Sequence, residues 1–404
     1  MHFYLARKAV RKVPGGVIRK VPLPEPELTE GFGSREKAGA LCRDMGVRSV
    51  LLVTDRNIHS IGFHEKILAS LSEAGIPFAV FCDIDSEPTV EIIRAGRDAA
   101  LKCGADCVIA LGGGSVLDSS KVIAASAKNP RRGVTWHLQK FDYVRGKTLP
   151  IISIPTTAGT GAEHTVAAVV KNARGVKTST VIVGLNVRHV ILDSELMVNA
   201  PQSVTVWCGI DALSHGLEGL TADMRPDGED IRKSRECVRL ILENLPRLLE
   251  EPKDIEARQK MSLAAYYGGN AINRQLAGYV HAFAHSIGAL YHIPHGKAIA
   301  WSLLPVVCCQ RGICEGQLRD LAVYCGLAAE ADAPSDAADR VIDMLRALLN
   351  RCGLEKQCAL LQEKDYPKLV GMIDADSINY SPSRTLSDKE ITRLLDQIRK
   401  GDLL

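Results

Sequence analysis

A parallel-sheet α/β domain followed by an all-α domain is the architecture this 404-residue sequence predicts. Three observations carry the expectation. Short, nearly continuous apolar runs alternate with amphipathic stretches through the first half. Beyond about residue 205 the strand pattern fades and helical spacing replaces it. The length suits two domains, each with its own core.

The elements follow in order. The runs at 49–54, 78–81, 107–111, 150–154 and 189–192 are short and almost wholly apolar. Strands buried on both faces of a parallel sheet read this way. Helical patterns at 65–73 and 91–101 lie between the early runs and cover that sheet. Further on, Ile231, Val238, Ile241 and Leu242 fall at helical spacing, and 341–349 and 391–398 also read as helices. Pro252, Gly326, Pro334 and Gly353 mark helix ends. The boundary falls between Ala200 and Pro201, giving domains 1–200 and 201–404.

Composition excludes some partners. Fifty basic residues against 47 acidic ones leave a net charge of +3, too small to favour nucleic acid or a membrane surface. No apolar run reaches the ~18 residues of a membrane span. The twelve cysteines form no C-x-x-C pair; the closest are Cys103/Cys107 and Cys308/Cys309. Reduced, mostly buried thiols in a cytoplasmic protein are expected. The first 24 residues are basic (Arg7, Lys8, Arg11, Lys12, Arg19, Lys20) and lack acids. Several prolines and no serine favour a solvated arm or edge strand over a mitochondrial transit peptide.

Two loops suit a nucleotide. In Val108-Ile-Ala-Leu-Gly112-Gly113-Gly114-Ser115-Val-Leu-Asp118 a strand meets a glycine-rich turn and a helix start. Glycines admit a bulky anion close to the backbone, and the N–H groups of the helix start point at it. Ser115 and Asp118 fit a capping box in its Asp form. A tight turn without a ligand would also explain this segment, which is not the G-x-G-x-x-G fingerprint. The second loop is Pro155-Thr156-Thr157-Ala158-Gly159-Thr160-Gly161-Ala162-Glu163, with three hydroxyls. Each follows a strand, at the sheet edge where α/β folds bind ligands. Asp55 ends another strand. A carboxylate there accepts from an adenosine ribose and repels a 2′-phosphate, which favours NAD over NADP; a solvated turn residue is the plain alternative.

The second half carries the metal chemistry. Asp211 and His215, four apart, share one face of a helix. Four of eleven histidines, His281, His285, His292 and His295, fall within fifteen positions. Three imidazoles and a carboxylate suit iron(II) or zinc rather than calcium or magnesium. Spacing does not say which of the four histidines bind.

These segments together resemble the iron-containing, or group III, alcohol dehydrogenase family, over about residues 31–384. The matching parts are Gly112-Gly113-Gly114-Ser115 with Asp118 and Lys121, the loop Pro155 to Glu163, Asp211 with His215, and Gly278-Tyr-Val-His281-Ala-Phe-Ala-His285 with Pro294-His295-Gly296. The resemblance implies a Rossmann-like nucleotide-binding domain followed by a helical metal-binding domain. It implies Fe2+, with Zn2+ as the alternative, on Asp211, His215, His281 and His295. It places His285 beside the substrate as a proton relay. It assigns the cofactor to Asp55, Gly113, Gly114, Ser115, Asp118, Thr156, Thr157, Thr160 and Lys177. It implies a homodimer and a small alcohol or aldehyde substrate, with hydride passing to or from the nicotinamide in a cleft between the domains.

The sequence departs from the family pattern at His164, usually small and apolar, and in the polar stretch 270–275. Arg274 there would bind a substrate carboxylate or phosphate if it faced the pocket; a salt-bridged helix residue is the simpler reading. Rival functions share parts of this pattern. A zinc-dependent polyol dehydrogenase would differ in its metal. A dehydroquinate-synthase-like lyase needs several basic pocket residues, and only Lys121, Lys177 and Arg274 are evident. A hydrolase or a non-catalytic metal scaffold would leave the glycine and threonine loops without a role.

Overall fold

The computed structural model describes residues 23, 25–85, 88–138, 141–143, 148–171, 177–224 and 228–402. The basic arm lies almost wholly outside the described residues. Two compact units emerge, Val21–Ala200 with Lys253–Gly269, and Pro201–Pro252 with Asn270–Leu404. The helix Ile255–Gln275 is divided between them after Gly269.

The first unit holds a six-stranded sheet of β1 (Glu27–Glu30), β2 (Val50–Asp55), β3 (Phe78–Ile84), β4 (Cys107–Gly112), β6 (Ile151–Pro155) and β9 (Val187–Leu192). Its order is β1-β9-β6-β4-β2-β3, and every pairing is parallel. The five apolar runs are the five inner and far strands. Alternate residues of each run serve opposite cores, because strand side chains point to alternate faces. Leu51, Val53, Val108 and Ala110 pack with Ile93, Val122 and Ile123 of the helices Val90–Lys102 and Gly114–Lys128. Val50, Leu52, Cys107 and Ile109 pack with Ala38, Cys42, Ile67 and Leu71 of the helices Ala38–Asp44 and Glu65–Glu73. Each such leucine, isoleucine or valine stabilises the fold by about 1.5–3 kcal/mol through burial.

The sequence reading did not foresee β1. Its Glu-Leu-Thr-Glu residues are largely exposed at the sheet edge, so no apolar run marks them. Nor did it foresee the smaller sheet of β5 (Phe141–Tyr143), β8 (Lys177–Val183) and β7 (Ala167–Lys171), in that order.

The sheet reverses its winding at β2. The chain places β3 on one side of β2 and β4 on the other. The carboxyl ends of β2 and β4 therefore flank the switch point where such folds take ligands. Asp55 and the Gly112–Gly114 turn stand at those ends.

The second unit is helical among its described residues, as expected. Helix Gln202–Thr221 packs on Gly228–Glu250 and on His295–Gln310, and Tyr279–Tyr291 packs on His295–Gln310 and Tyr366–Ser377. The last long helix, Asp388–Lys400, opens with a capping box of Ser387 and Glu390. All twelve cysteines are free; five are buried and seven half-buried, so the thiols are less buried than expected.

Candidate active site

In the sheet unit, β4 ends at Gly112 and Gly113 caps the helix Gly114–Lys128 without any side-chain bond. The capping box expected of Ser115 and Asp118 does not form. Asp118 instead accepts from Lys121 Nζ at 2.9 Å with one oxygen and from the Val169 N–H at 2.9 Å with the other. Sequence reasoning put Asp118 among the cofactor groups; both its oxygens are committed to bracing helix against β7. Lys121, fully buried, also donates to Thr165 Oγ1 at 3.0 Å and to the Ala167 carbonyl at 2.6 Å.

The threonine loop lies against the glycine turn. A methyl group on Gly114 would meet Thr160 Cγ2 at 3.1 Å and Oγ1 at 3.2 Å, and one on Gly113 would meet Thr157 Oγ1 at 3.5 Å. Thr156 is buried, and its N–H donates to the Gly112 carbonyl at 3.1 Å. The structure thus brings Gly113, Gly114, Thr156, Thr157 and Thr160 together. Asp55 Oδ1 accepts from the Ile58 N–H at 2.9 Å and caps the short helix Arg56–Ser60. Lys177 opens β8, and its side chain lies outside the described residues. His164 is buried, its ring 4.5 Å from that of Tyr266 and its Nε2 4.0 Å from Glu25 Oε2. Arg274 is half-buried in the last turn of its helix, where a cation complements the helix dipole.

In the helical unit, the two short sequence segments converge. Asp211 and His215 lie one turn apart on the buried face of helix Gln202–Thr221. His281 lies on Tyr279–Tyr291, and His295 opens His295–Gln310. Asp211 Oδ1 is 3.7 Å from His215 Nε2, 3.6 Å from His281 Nε2 and 3.3 Å from His295 Nε2. The Nε2 atoms of His215 and His281 are 2.9 Å apart. Among the described residues, Asp211, His281 and His295 are the group of metal-ligating side chains whose donor atoms all lie within 4.8 Å of one another. Close packing makes this possible. A methyl group on Gly296 would fall 2.6 Å from Trp207 Cβ, so glycine lets the His295 helix press against the Asp211 helix.

The donor atoms fit a metal. Asp211 Oδ1 is buried and has no hydrogen-bond donor. A buried carboxylate oxygen in that position is costly unless a cation meets it. Ligands at 2.0–2.2 Å around a tetrahedral ion stand about 3.4 Å apart, close to the 3.3 to 3.7 Å between Asp211 Oδ1 and the imidazole nitrogens. Glu218 supports the arrangement. Its Oε2 lies 2.6 Å from His281 Nδ1, and its Oε1 accepts from the Val280 N–H at 2.7 Å. The carboxylate keeps a proton on Nδ1 and leaves Nε2 as the ring atom on the side of Asp211. A methyl group on Gly278 would sit 2.7 Å from Glu218 Oε1, so glycine leaves the carboxylate room to keep both bonds.

Charge follows from these contacts. Burial pushes Asp211 up, yet the facing imidazoles hold it well below the usual carboxylate range. Burial pushes His215 down to about 4. Burial lowers His281 too, but Glu218 and Asp211 outweigh it and hold the ring at about 10. A metal cation would take the place of the proton that Glu218 and Asp211 hold on His281.

His285 and His292 stand apart from this set. His285, one turn after His281, turns its Nδ1 to Asp376 Oδ2 at 3.0 Å. His292 is exposed and closes its helix in the left-handed conformation, with φ 54°. Sequence reasoning missed Glu218, Asp376 and Tyr380. Glu218 carried a signal, since it lies seven residues after Asp211 on the same helix face.

Comparison with known proteins shows the family. Residues 26–194 match the family model "Iron-containing alcohol dehydrogenase", and residues 205–399 match that of the C-terminal part of the same family. The chain is 30% identical to the NAD-dependent methanol dehydrogenase of Bacillus methanolicus, over 92% of this chain and 97% of that one. It is 31% identical to the 1,3-propanediol dehydrogenase of Citrobacter freundii, over 89% and 93%. A crystal structure of a 1,3-propanediol oxidoreductase superposes with a TM-score of 0.87 at 28% identity, covering 94% of this chain and 99% of the other. The chain belongs to the iron-containing alcohol dehydrogenase family.

Proposed function

We propose that Asp211, His215, His281 and His295 hold one iron(II) ion, and that the enzyme moves a hydride between NAD(H) and a small primary alcohol or its aldehyde. The observation that carries this reading is the buried Asp211 Oδ1, which faces three imidazole nitrogens at 3.3 to 3.7 Å without a hydrogen-bond donor. The relatives' printed names span methanol, 1,3-propanediol and lactaldehyde, which supports a small substrate.

The chemistry that metal and cofactor supply is Lewis acidity at the substrate oxygen and acceptance of hydride. The chain's own residues position and exchange protons. Gly113, Gly114 and Ser115 present the start of a helix to the pyrophosphate. Thr156, Thr157 and Thr160 offer hydroxyls beside it. Asp55 accepts from the adenosine ribose with the oxygen not spent on Ile58, which disfavours NADP. Lys177 is assigned to the cofactor as well. His285 takes the proton of the alcohol and returns it when the aldehyde is reduced. Lys121 counts against a phosphate-releasing lyase, because its ammonium is spent on Asp118, Thr165 and Ala167. A cytoplasmic homodimer completes the proposal, to be read by light scattering and cell fractionation.

The test is His281→Ala, with metal content and NADH oxidation by small aldehydes measured side by side on anaerobically purified protein. Both are expected to fall together. A metal-free variant that kept wild-type turnover would overturn the assignment.

A further inference from the structure

His285 does not stand alone. Its Nδ1 lies 3.0 Å from Asp376 Oδ2 and 2.9 Å from the Tyr380 hydroxyl oxygen. The same hydroxyl donates to Asp376 Oδ2 at 3.1 Å. Asp376 sits in the last turn of helix Tyr366–Ser377, which packs on the His285 helix, and Tyr380 follows in the next turn. The His285 ring is stacked on that of His295, with centroids 5.1 Å apart and planes 28° from parallel.

The triangle has one consistent hydrogen pattern. An ionised carboxylate can only accept. Burial and Asp376 push the Tyr380 phenol well above its usual range, so it keeps its proton and donates it. The His285 nitrogen beside the same carboxylate must therefore carry a proton as well; a bare lone pair there would face a negative oxygen. Neutral His285 is then the Nδ1–H tautomer, and its lone pair is on Nε2.

We propose that Asp376 and Tyr380 are positioning residues that lock His285 in the Nδ1–H tautomer and so make Nε2 the atom that exchanges a proton with the substrate. The inference rests on the proposed part of His285 in alcohol oxidation. In that direction the alcohol O–H bond breaks and an Nε2–H bond forms, while the carbinol hydride goes to NAD+. The imidazolium is held by Asp376 until Nε2 gives its proton to water. Aldehyde reduction runs the same exchange backwards. Tyr380 keeps the half-exposed Asp376 carboxylate turned toward the ring, which a lone surface pair would not do reliably.

The experiment uses the full chain loaded with zinc, which is diamagnetic, and labelled with 15N-histidine. Long-range 1H–15N correlation reads the tautomer, and His285→Gln identifies the signals. Wild type is expected to show Nδ1 protonated and Nε2 bare. Asp376→Asn should mix the two tautomers and lower kcat by about tenfold to a hundredfold, with KM and metal content unchanged. Asp376→Glu should recover part of the loss. Tyr380→Phe, which removes one oxygen, should lower kcat less and carries the test if Asp376→Asn does not fold. A protonated Nε2 in wild type, or an Asp376→Asn enzyme with wild-type kcat, would sink the inference. Failure of the dehydrogenase reading looks different: wild type itself would then show no NADH-linked turnover.

Discussion

Two buried carboxylates, one in each unit, settle in opposite charge states. Glu163, in the threonine loop of the sheet unit, is 1% exposed, and Asp211, in the helical unit, is 4% exposed. Burial pushes Glu163 up to about 7, against the pull of its own backbone N–H and of Lys121. The pull of Lys121 is opposed by its ion-pair partner Asp118, whose charge pushes Glu163 the other way. Asp211 is as deeply buried, yet three imidazoles hold it well below the usual range. Burial alone therefore does not decide the charge of an acid. The groups that replace water decide it: Asp211 meets three imidazoles, whereas Glu163 meets one ammonium that a second carboxylate already neutralises.

The largest expected effect breaks the metal side. Asp211→Ala removes the oxygen on which the three imidazoles converge. Metal content should fall to background and turnover by at least about a thousandfold, since a Lewis acid contributes several kcal/mol to the barrier. NADH binding, followed by fluorescence, should persist. Loss of both together would mean the two sites are not separable as drawn.

Glu163→Gln sharpens the other side. Folded Glu163 keeps its proton to about pH 7, whereas the unfolded chain releases it near its ordinary 4.5. The unfolded state sheds the proton first, so stability falls as pH rises from 4.5 to 7 and then levels. The loss is about 3 kcal/mol. Urea unfolding should find Glu163→Gln more stable than wild type by up to that amount at pH 8 and equal to it near pH 4.5. A difference independent of pH would show that Glu163 is charged in the folded chain.

Gly113→Val places bulk against Thr157, on the turn proposed to meet pyrophosphate. Overpacking of this kind costs roughly 1–3 kcal/mol. KM for NADH should rise accordingly while metal content holds; an unchanged KM would remove the glycine turn from the cofactor site. Glu218→Gln is the mildest change. It keeps the shape but weakens the hold on the His281 ring, and metal affinity in a chelator competition should drop by about tenfold to a hundredfold. Unaltered affinity would leave Glu218 a packing residue only.

Much of this was legible from residue order. Buried parallel strands announce themselves as apolar runs, and β2, β3, β4, β6 and β9 did so. The edge strand β1 did not, because Glu27, Leu28 and Glu30 face solvent and carry no pattern. The pairing of Asp211 with His215 was visible because a helix repeats every 3.6 residues. The choice among His281, His285, His292 and His295 was not. His281 is set by Glu218, His285 by Asp376 and Tyr380, and His292 by a helix end in the left-handed conformation. The Ser115–Asp118 cap failed because the helix begins one residue earlier, at Gly114, which puts Ser115 inside its first turn; Asp118 is held by Lys121 and the Val169 N–H instead.

By itself, the order of residues determined the two-part architecture, the identity of the chemistry-bearing segments and the kind of metal they suit. Those depend on local periodicity and on the donor atoms of individual side chains. Only the tertiary structure decided which nitrogen faces which oxygen, which acid stays charged and which histidine keeps a proton partner. Hydrogen bonds and buried charges act over about 3 Å in space, and residues 66 to 95 positions apart come within that reach only once helices have packed.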